Sequence, residues 1–131
     1  MEYVTTKICQ AGQIGIHGNL FGGIMLSWFD EAGAAYAAYL CSTPHLVTVK
    51  MDEVVFKKPV RTGDHIRFFG EVYHVGTSSI TLALEARRFL FDNGTYELVC
   101  STEITYVRID EQGKAVPIDE QIRQRLKAKK G

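Results

Sequence analysis

The chain has no excess of either charge. Fifteen Lys and Arg are matched by fifteen Asp and Glu, for a formal net charge of zero. A dedicated nucleic-acid binder carries a basic surplus, so no nucleic-acid partner is expected. Its three cysteines, Cys9, Cys41 and Cys100, are odd in number, far apart and without CxxC spacing. That excludes a disulfide framework and a zinc ribbon, and predicts free thiols in a reducing compartment with no metal. The first residues, Met1 to Lys7, lack the basic and apolar regions of a secretory leader, so a cytoplasmic protein is expected. The one long apolar run, residues 24–40, approaches membrane-span length. Asp30 and Glu31 sit at its centre, glycine interrupts it and no basic residues flank it, so no membrane partner is expected. Neither an internal repeat nor a linker divides the chain, and residues 1–131 are read as one domain. Hydrophobic content of 46% with 23% charged residues is ordinary for a folded globular protein and excludes disorder.

What is present is organised around Phe21 to Leu40. Gly22-Gly23 opens a segment whose only later polar residues are Ser27, Asp30 and Glu31. It reads as a helix enclosed by the rest of the domain, with both acids on the side of Ser27. A carboxylate there is costly unless something uses it. A first strand is expected from Tyr3 to Cys9, and a glycine-dense loop from Ala11 to Asn19 feeds the helix. After Pro44, period-two alternation predicts a strand with Val47, Val49 and Met51 on one face and Thr48, Lys50 and Asp52 on the other, continuing through Phe56.

Three further strands follow. Ile66, Phe68 and Val72 share a face opposite His65, Arg67, Glu71 and Tyr73. A turn at Val75 to Ser78 leads to Ile80, Leu82, Leu84 and Ala86, whose phase breaks at Arg87-Arg88-Phe89, a bulge or sheet edge. Asp92-Asn93-Gly94 is a hairpin signal before a strand from Tyr96 to Ile109. Residues 119–131 form a polar tail with a possible short helix from Asp119 to Lys130. One helix followed by successive antiparallel strands predicts an α+β fold, a curved sheet wrapped on the helix.

This ordered set resembles the hotdog fold, and more narrowly the YciA-type, cytosolic acyl-CoA hydrolases. The likeness is carried by His17-Gly18-Asn19-Leu20-Phe21-Gly22-Gly23, Asp30-Glu31-Ala32-Gly33, Val47 to Asp52, Phe56, Pro59-Val60, Gly63-Asp64 and Val75 to Ser79. It spans most of residues 13–108. It implies hydrolysis of acyl-CoA to free acid and coenzyme A, with coenzyme A as part of the substrate and no resident cofactor. Many relatives carry an asparagine before the glycines to position water. Here that position is Gly15, which places the chemical burden on Asp30.

Thioester hydrolysis needs an oxyanion clamp and an activated nucleophile. The main-chain amides of Gly22 and Gly23, at a helix start, are the expected clamp. The alternative is that these glycines only permit a tight entry turn. Asp30 is the expected base or nucleophile, made more basic by its apolar surroundings. The alternative is a carboxylate neutralised by a partner such as Arg67 or Lys50 across a subunit interface. Glu31 is expected to make a structural bond, and His17 is not expected to be catalytic.

Gly76, Thr77, Ser78 and Ser79 are the expected coenzyme A cradle. Lys57 and Arg88, with Lys58, Arg61 and Arg87, are candidate phosphate partners; for Arg87 and Arg88 the resemblance offers no support. Thr48 and Asp52 are candidates to face the acyl path. An open sheet edge and the family pattern predict a homo-oligomer, a dimer assembled further as a trimer of dimers. A non-catalytic acyl-CoA binder or sensor is the alternative, ahead of a hydratase. The sequence leaves the acyl group open.

Overall fold

The computed structural model describes residues 1–130; Gly131, the end of the expected polar tail, lies outside them. Strand β1 (Glu2–Ile8) is followed by a single 3-10 turn, Ala11–Gln13, and then helix α1 (Gly22–Cys41). Four strands come next, β2 (Leu46–Phe56), β3 (His65–Val75), β4 (Ser79–Leu90) and β5 (Thr95–Arg108), before helix α2 (Glu120–Lys129). All pairings are antiparallel, in the order β1-β3-β4-β5-β2, giving one five-stranded sheet curved against α1. This is the expected hotdog layout.

The core lies between α1 and the concave sheet face. Met25, Trp28, Phe29, Ala32, Tyr36, Ala37 and Leu40 of α1 meet Ile66, Phe68, Leu82, Leu84, Ile104 and Tyr106. Phe29 stacks edge-on against Phe68 with ring centroids 5.1 Å apart. Each fully buried side chain of this size contributes roughly 1.5–3 kcal/mol. The helix is not enclosed, however. One sheet covers one side only, and Phe21 and Tyr39 are 60% and 74% exposed on the other. A helix apolar all round with only one face covered leaves surface for a neighbour.

The strict alternation expected in β2 is broken. Thr48 pairs with Tyr106 and Lys50 with Thr105, so Val49 is an extra residue. A second bulge falls between Asp52 and Val55, where Glu53 has φ +49°. An inserted residue reverses side-chain facing beyond it. Thr48 therefore joins Met51 on the helix side, while Lys50 and Asp52 point outward. The phase break foreseen near Arg87 is present: the β4–β5 register shifts between Ala86 and Arg87. In β5 the core parity is Cys100, Thr102, Ile104 and Tyr106. Helix α2 starts where the tail pattern places it, with the Asp119 carboxylate accepting from the Ile122 amide at 3.1 Å.

Candidate active site

Asp30 sits two turns into α1 and is half-buried. Because of the Val49 bulge, Thr48 reaches it from β2, its Oγ1 donating to Asp30 Oδ1 at 2.6 Å. Tyr106, fully buried on β5, reaches it from beneath. Its hydroxyl donates to the Asp30 main-chain oxygen at 3.1 Å and lies 3.4 Å from the same Oδ1. Gly33 provides the room, since a Cβ there would collide with the Tyr106 hydroxyl and sit 3.0 Å from Leu84 Cδ1. Burial, and secondarily the Asp30 charge and hydrogen bond, push the Tyr106 phenol far above its ordinary 10, so it remains a donor. Asp30 Oδ2 has no protein partner among the described residues. No buried side-chain oxygen or nitrogen among them is left unpaired, so Oδ2 is accessible to solvent.

The start of α1 is a second focus. Phe21 is its N-cap in an extended conformation and offers no side-chain cap. The amides of Ile24 and Met25 turn back to the Phe21 carbonyl, at 3.0 and 3.3 Å. Those of Gly22 and Gly23 have no partner among the described residues, which leaves two aligned donors at the positive end of a 20-residue helix. A cavity of about 410 Å³ opens beside them, lined by Leu20, Gly22, Met25, Phe56, Lys57 and Val60 among others. The Phe56 ring leans over Gly22, 3.6 Å from where a Cβ would stand. Eight residues of helix separate Gly22 from Asp30, a rise of about 12 Å. Within one protomer a single carbonyl cannot touch both.

The remaining expected residues divide between these two ends. The turn Gly76 to Ser79 lies at the Asp30 end, since Ser79 pairs with Val107, which pairs with Val47 beside Thr48. It is pinned from the C-terminal side: Ile118 and Arg108 amides donate to the Thr77 and Ser78 carbonyls at 2.9 and 2.8 Å. The hydroxyls of Thr77, Ser78 and Ser79 have no partner among the described residues. Lys57 is exposed at the Gly22 end, on the rim of the cavity.

Arg88 departs from expectation. Its guanidinium is spent on Asp64, on Glu97 at 3.0 Å and on the Pro59 carbonyl at 2.9 Å, and only 16% of the side chain is exposed. It clamps the β2–β3 loop to β4 and β5, with no face left for a phosphate. Arg87 bonds Glu85 at 2.7 Å and lies 4.2 Å over the Phe69 ring on the convex face, away from α1. Asp52 points outward, paired with Lys50 at 3.0 Å, and so does not face the helix. With Lys50 held there and Arg67 donating to the Tyr96 hydroxyl at 2.8 Å, neither neutralises Asp30 in the protomer. Glu31 makes the expected structural bond, to Lys7 Nζ at 2.7 Å.

The three thiols are free and buried, and burial raises those of Cys41 and Cys100 to about 11, leaving them protonated and unreactive. Among the described residues, no cluster of His, Cys, Asp or Glu is arranged to hold a metal ion, and no helix is long and apolar enough to cross a membrane. Tyr106 and Gly33 were not legible as site residues. The available signal was a glycine in mid-helix, which usually marks close packing.

The family model of the thioesterase superfamily matches residues 17–89, more than half of the chain. The chain belongs to this superfamily. The matched span of this thioesterase-superfamily protein includes Gly22, Gly23, Asp30, Thr48 and the 76–79 turn. The chain is 34% identical over 129 residues to YkhA of Bacillus subtilis, described as an uncharacterized acyl-CoA thioester hydrolase, covering 90% of this chain and 74% of that one. Among solved structures it is similar to Cj0915 of Campylobacter jejuni, a hexameric hotdog fold thioesterase, with TM-score 0.84, 35% identity and 97% of each chain covered. It is also similar to an acyl-CoA hydrolase of Staphylococcus aureus, solved with butyryl coenzyme A and coenzyme A. There the TM-score is 0.81 and the identity 25%, with 92% of this chain and 76% of that one covered.

Proposed function

We propose that this protein hydrolyses acyl-CoA thioesters to a free carboxylic acid and coenzyme A, with Asp30 as the reacting carboxylate. The observation that carries this is the Asp30 side chain itself. One oxygen is anchored by Thr48, with the Tyr106 hydroxyl close by, and the other is open beside an apolar helix. Asp30 either takes a proton from water attacking the thioester carbon, or attacks that carbon itself and releases the acid when water opens the resulting anhydride. In both routes the carbonyl oxygen gains charge and the thiolate of coenzyme A leaves, taking up a proton.

Charge on that oxygen is met by the amides of Gly22 and Gly23 from a second protomer. Strand β2 is an 11-residue edge strand with Val47, Val49, Val55 and Phe56 exposed, a surface that invites pairing. An antiparallel two-fold pairing of β2 strands places the Phe56 and Gly22 end of one protomer beside the Thr48 and Asp30 end of the other. That removes the separation along α1 and makes the site shared. The hexameric state of the Campylobacter relative supports a dimer assembled further as a trimer of dimers. The hydroxyls of Thr77, Ser78 and Ser79 on the Gly76 turn, with Lys57, hold the phosphates and pantetheine of the substrate. Coenzyme A is thus substrate and product.

Asp30→Asn keeps the shape and removes the base. It is expected to lower turnover by about 10²–10⁴-fold while oligomer and coenzyme A binding persist. Thiol release is measured across acyl-CoAs from acetyl to palmitoyl. Wild-type rates in the variant would remove Asp30 from the mechanism. Binding without turnover at every chain length would make the wild-type protein an acyl-CoA binder instead.

A further inference from the structure

We infer that Tyr106 is a positioning residue for the hydrolysis, acting with Thr48 to hold Asp30 in one rotamer so that Oδ2 is the oxygen offered to the reaction, and that Gly33 is the notch admitting its hydroxyl. This rests on Asp30 being the reacting carboxylate. A carboxylate free to rotate presents its two oxygens in turn and wastes most orientations. Here both hydroxyls approach the same oxygen from different strands, Thr48 at 2.6 Å and Tyr106 at 3.4 Å, and none approaches Oδ2. The Tyr106 hydroxyl also holds the Asp30 main-chain oxygen at 3.1 Å, so backbone and side chain of one residue share a single donor.

Two costs converge on this contact. A fully buried phenol hydroxyl is unfavourable unless bonded, and phenylalanine would fill the same space without that burden. All of its protein contacts as a donor go to Asp30. A mid-helix glycine destabilises α1 relative to alanine. Gly33 stands where a Cβ would strike the Tyr106 hydroxyl. Each feature is explained by the other, and both by the need to set the Asp30 side chain from below. The phenol's resistance to ionisation keeps the donor in place whatever happens to the proton on Asp30.

The test is steady-state turnover of Tyr106→Phe, Thr48→Ala and the double variant, with thermal unfolding recorded for each. Tyr106→Phe is expected to lower kcat about five- to tenfold with KM unchanged. The double variant is expected to lose less than the product of the two single losses, because a carboxylate released by one change no longer benefits from the other donor. Gly33→Ala leaves the tyrosine but drives its hydroxyl away, and is expected to show the same kcat loss in folded protein. A kcat within about twofold of wild type in folded Tyr106→Phe or Gly33→Ala overturns the assignment, as do losses that simply multiply. Asp30→Asn separates the two failures. If it is inactive while Tyr106→Phe is unimpaired, only the positioning role is lost; if it turns over normally, the thioesterase reading itself is lost.

Discussion

Replacing Arg88 with methionine separates a structural clamp from a coenzyme A ligand. The change keeps most of the apolar stem and removes the guanidinium, stranding the Asp64 carboxylate at 24% side-chain exposure and that of Glu97 at 37%. Asp64 keeps the Arg61 amide at 2.8 Å, which offsets part of the loss. Glu97 is open enough to water that its share is about 0–1 kcal/mol. For Asp64, a partly buried charge losing its partner, together with the lost bond to the Pro59 carbonyl, a further cost of about 2 kcal/mol is expected. A total near 2–3 kcal/mol in a chain of this size lowers Tm by about 10 °C at fixed protein concentration. Differential scanning calorimetry reads the shift, and thiol-release kinetics read KM for an acyl-CoA, which is expected to stay at the wild-type value. An unchanged Tm together with a KM raised about tenfold, 1.4 kcal/mol of lost binding, would show that Arg88 holds phosphate after all and that the loop clamp contributes nothing.

Glu31→Gln is the control for Asp30, and is expected to leave turnover unchanged because Glu31 is bonded to Lys7 away from the open Asp30 oxygen. The Lys7 hydrogen bond and charge hold the Glu31 carboxyl below its ordinary 4.5. A depressed folded value means that the stabilising contribution is complete above 4.5 and fades as pH falls through the lower folded value. Urea unfolding of variant and wild type should therefore converge in acid and separate, slightly, only above that range; a gap that widens in acid refutes the sign. Val49→Lys combined with Val55→Lys sets like charges along the β2 edge and is expected to shift light-scattering mass toward the 14.7 kDa protomer. Turnover should fall with it, and a fully active protomer would show that the site is complete in one chain.

The fold was legible because its signals are local and mutually consistent. The Gly22-Gly23 opening, the apolar run behind it, the Asp92-Asn93-Gly94 turn and the Asp119 start each specify one element without reference to the others. The candidate site was legible only where it follows a residue's own chemistry. A carboxylate inside an apolar helix marks Asp30, and paired glycines at a helix start mark the free amides, whatever packs around them. Thr48 was grouped on one face with Lys50 and Asp52 because period-two counting assumes an unbroken ladder. The extra residue at Val49 is set by how β2 fits β5, a pairing no window of sequence contains. Arg88 illustrates the same limit from the other side. Arg88 reads as a candidate phosphate partner until Asp64, Glu97 and Pro59, distant in sequence, are brought around it.

Tyr106 was hidden more deeply. Among the residues of β5 it fills an ordinary core position, and only its hydroxyl, which hydropathy patterns do not weigh, distinguishes it from phenylalanine. What could have pointed to it is Gly33, because a helix otherwise made of alanine and large apolar residues has no local reason for a glycine three positions after its only half-buried acid. The bulge that turns Thr48 inward and the notch that admits Tyr106 are both departures from regular structure. Both converge on one oxygen of Asp30. Two of the fold's irregular features thus meet where its proposed chemistry is, and regular patterning is uninformative at that place.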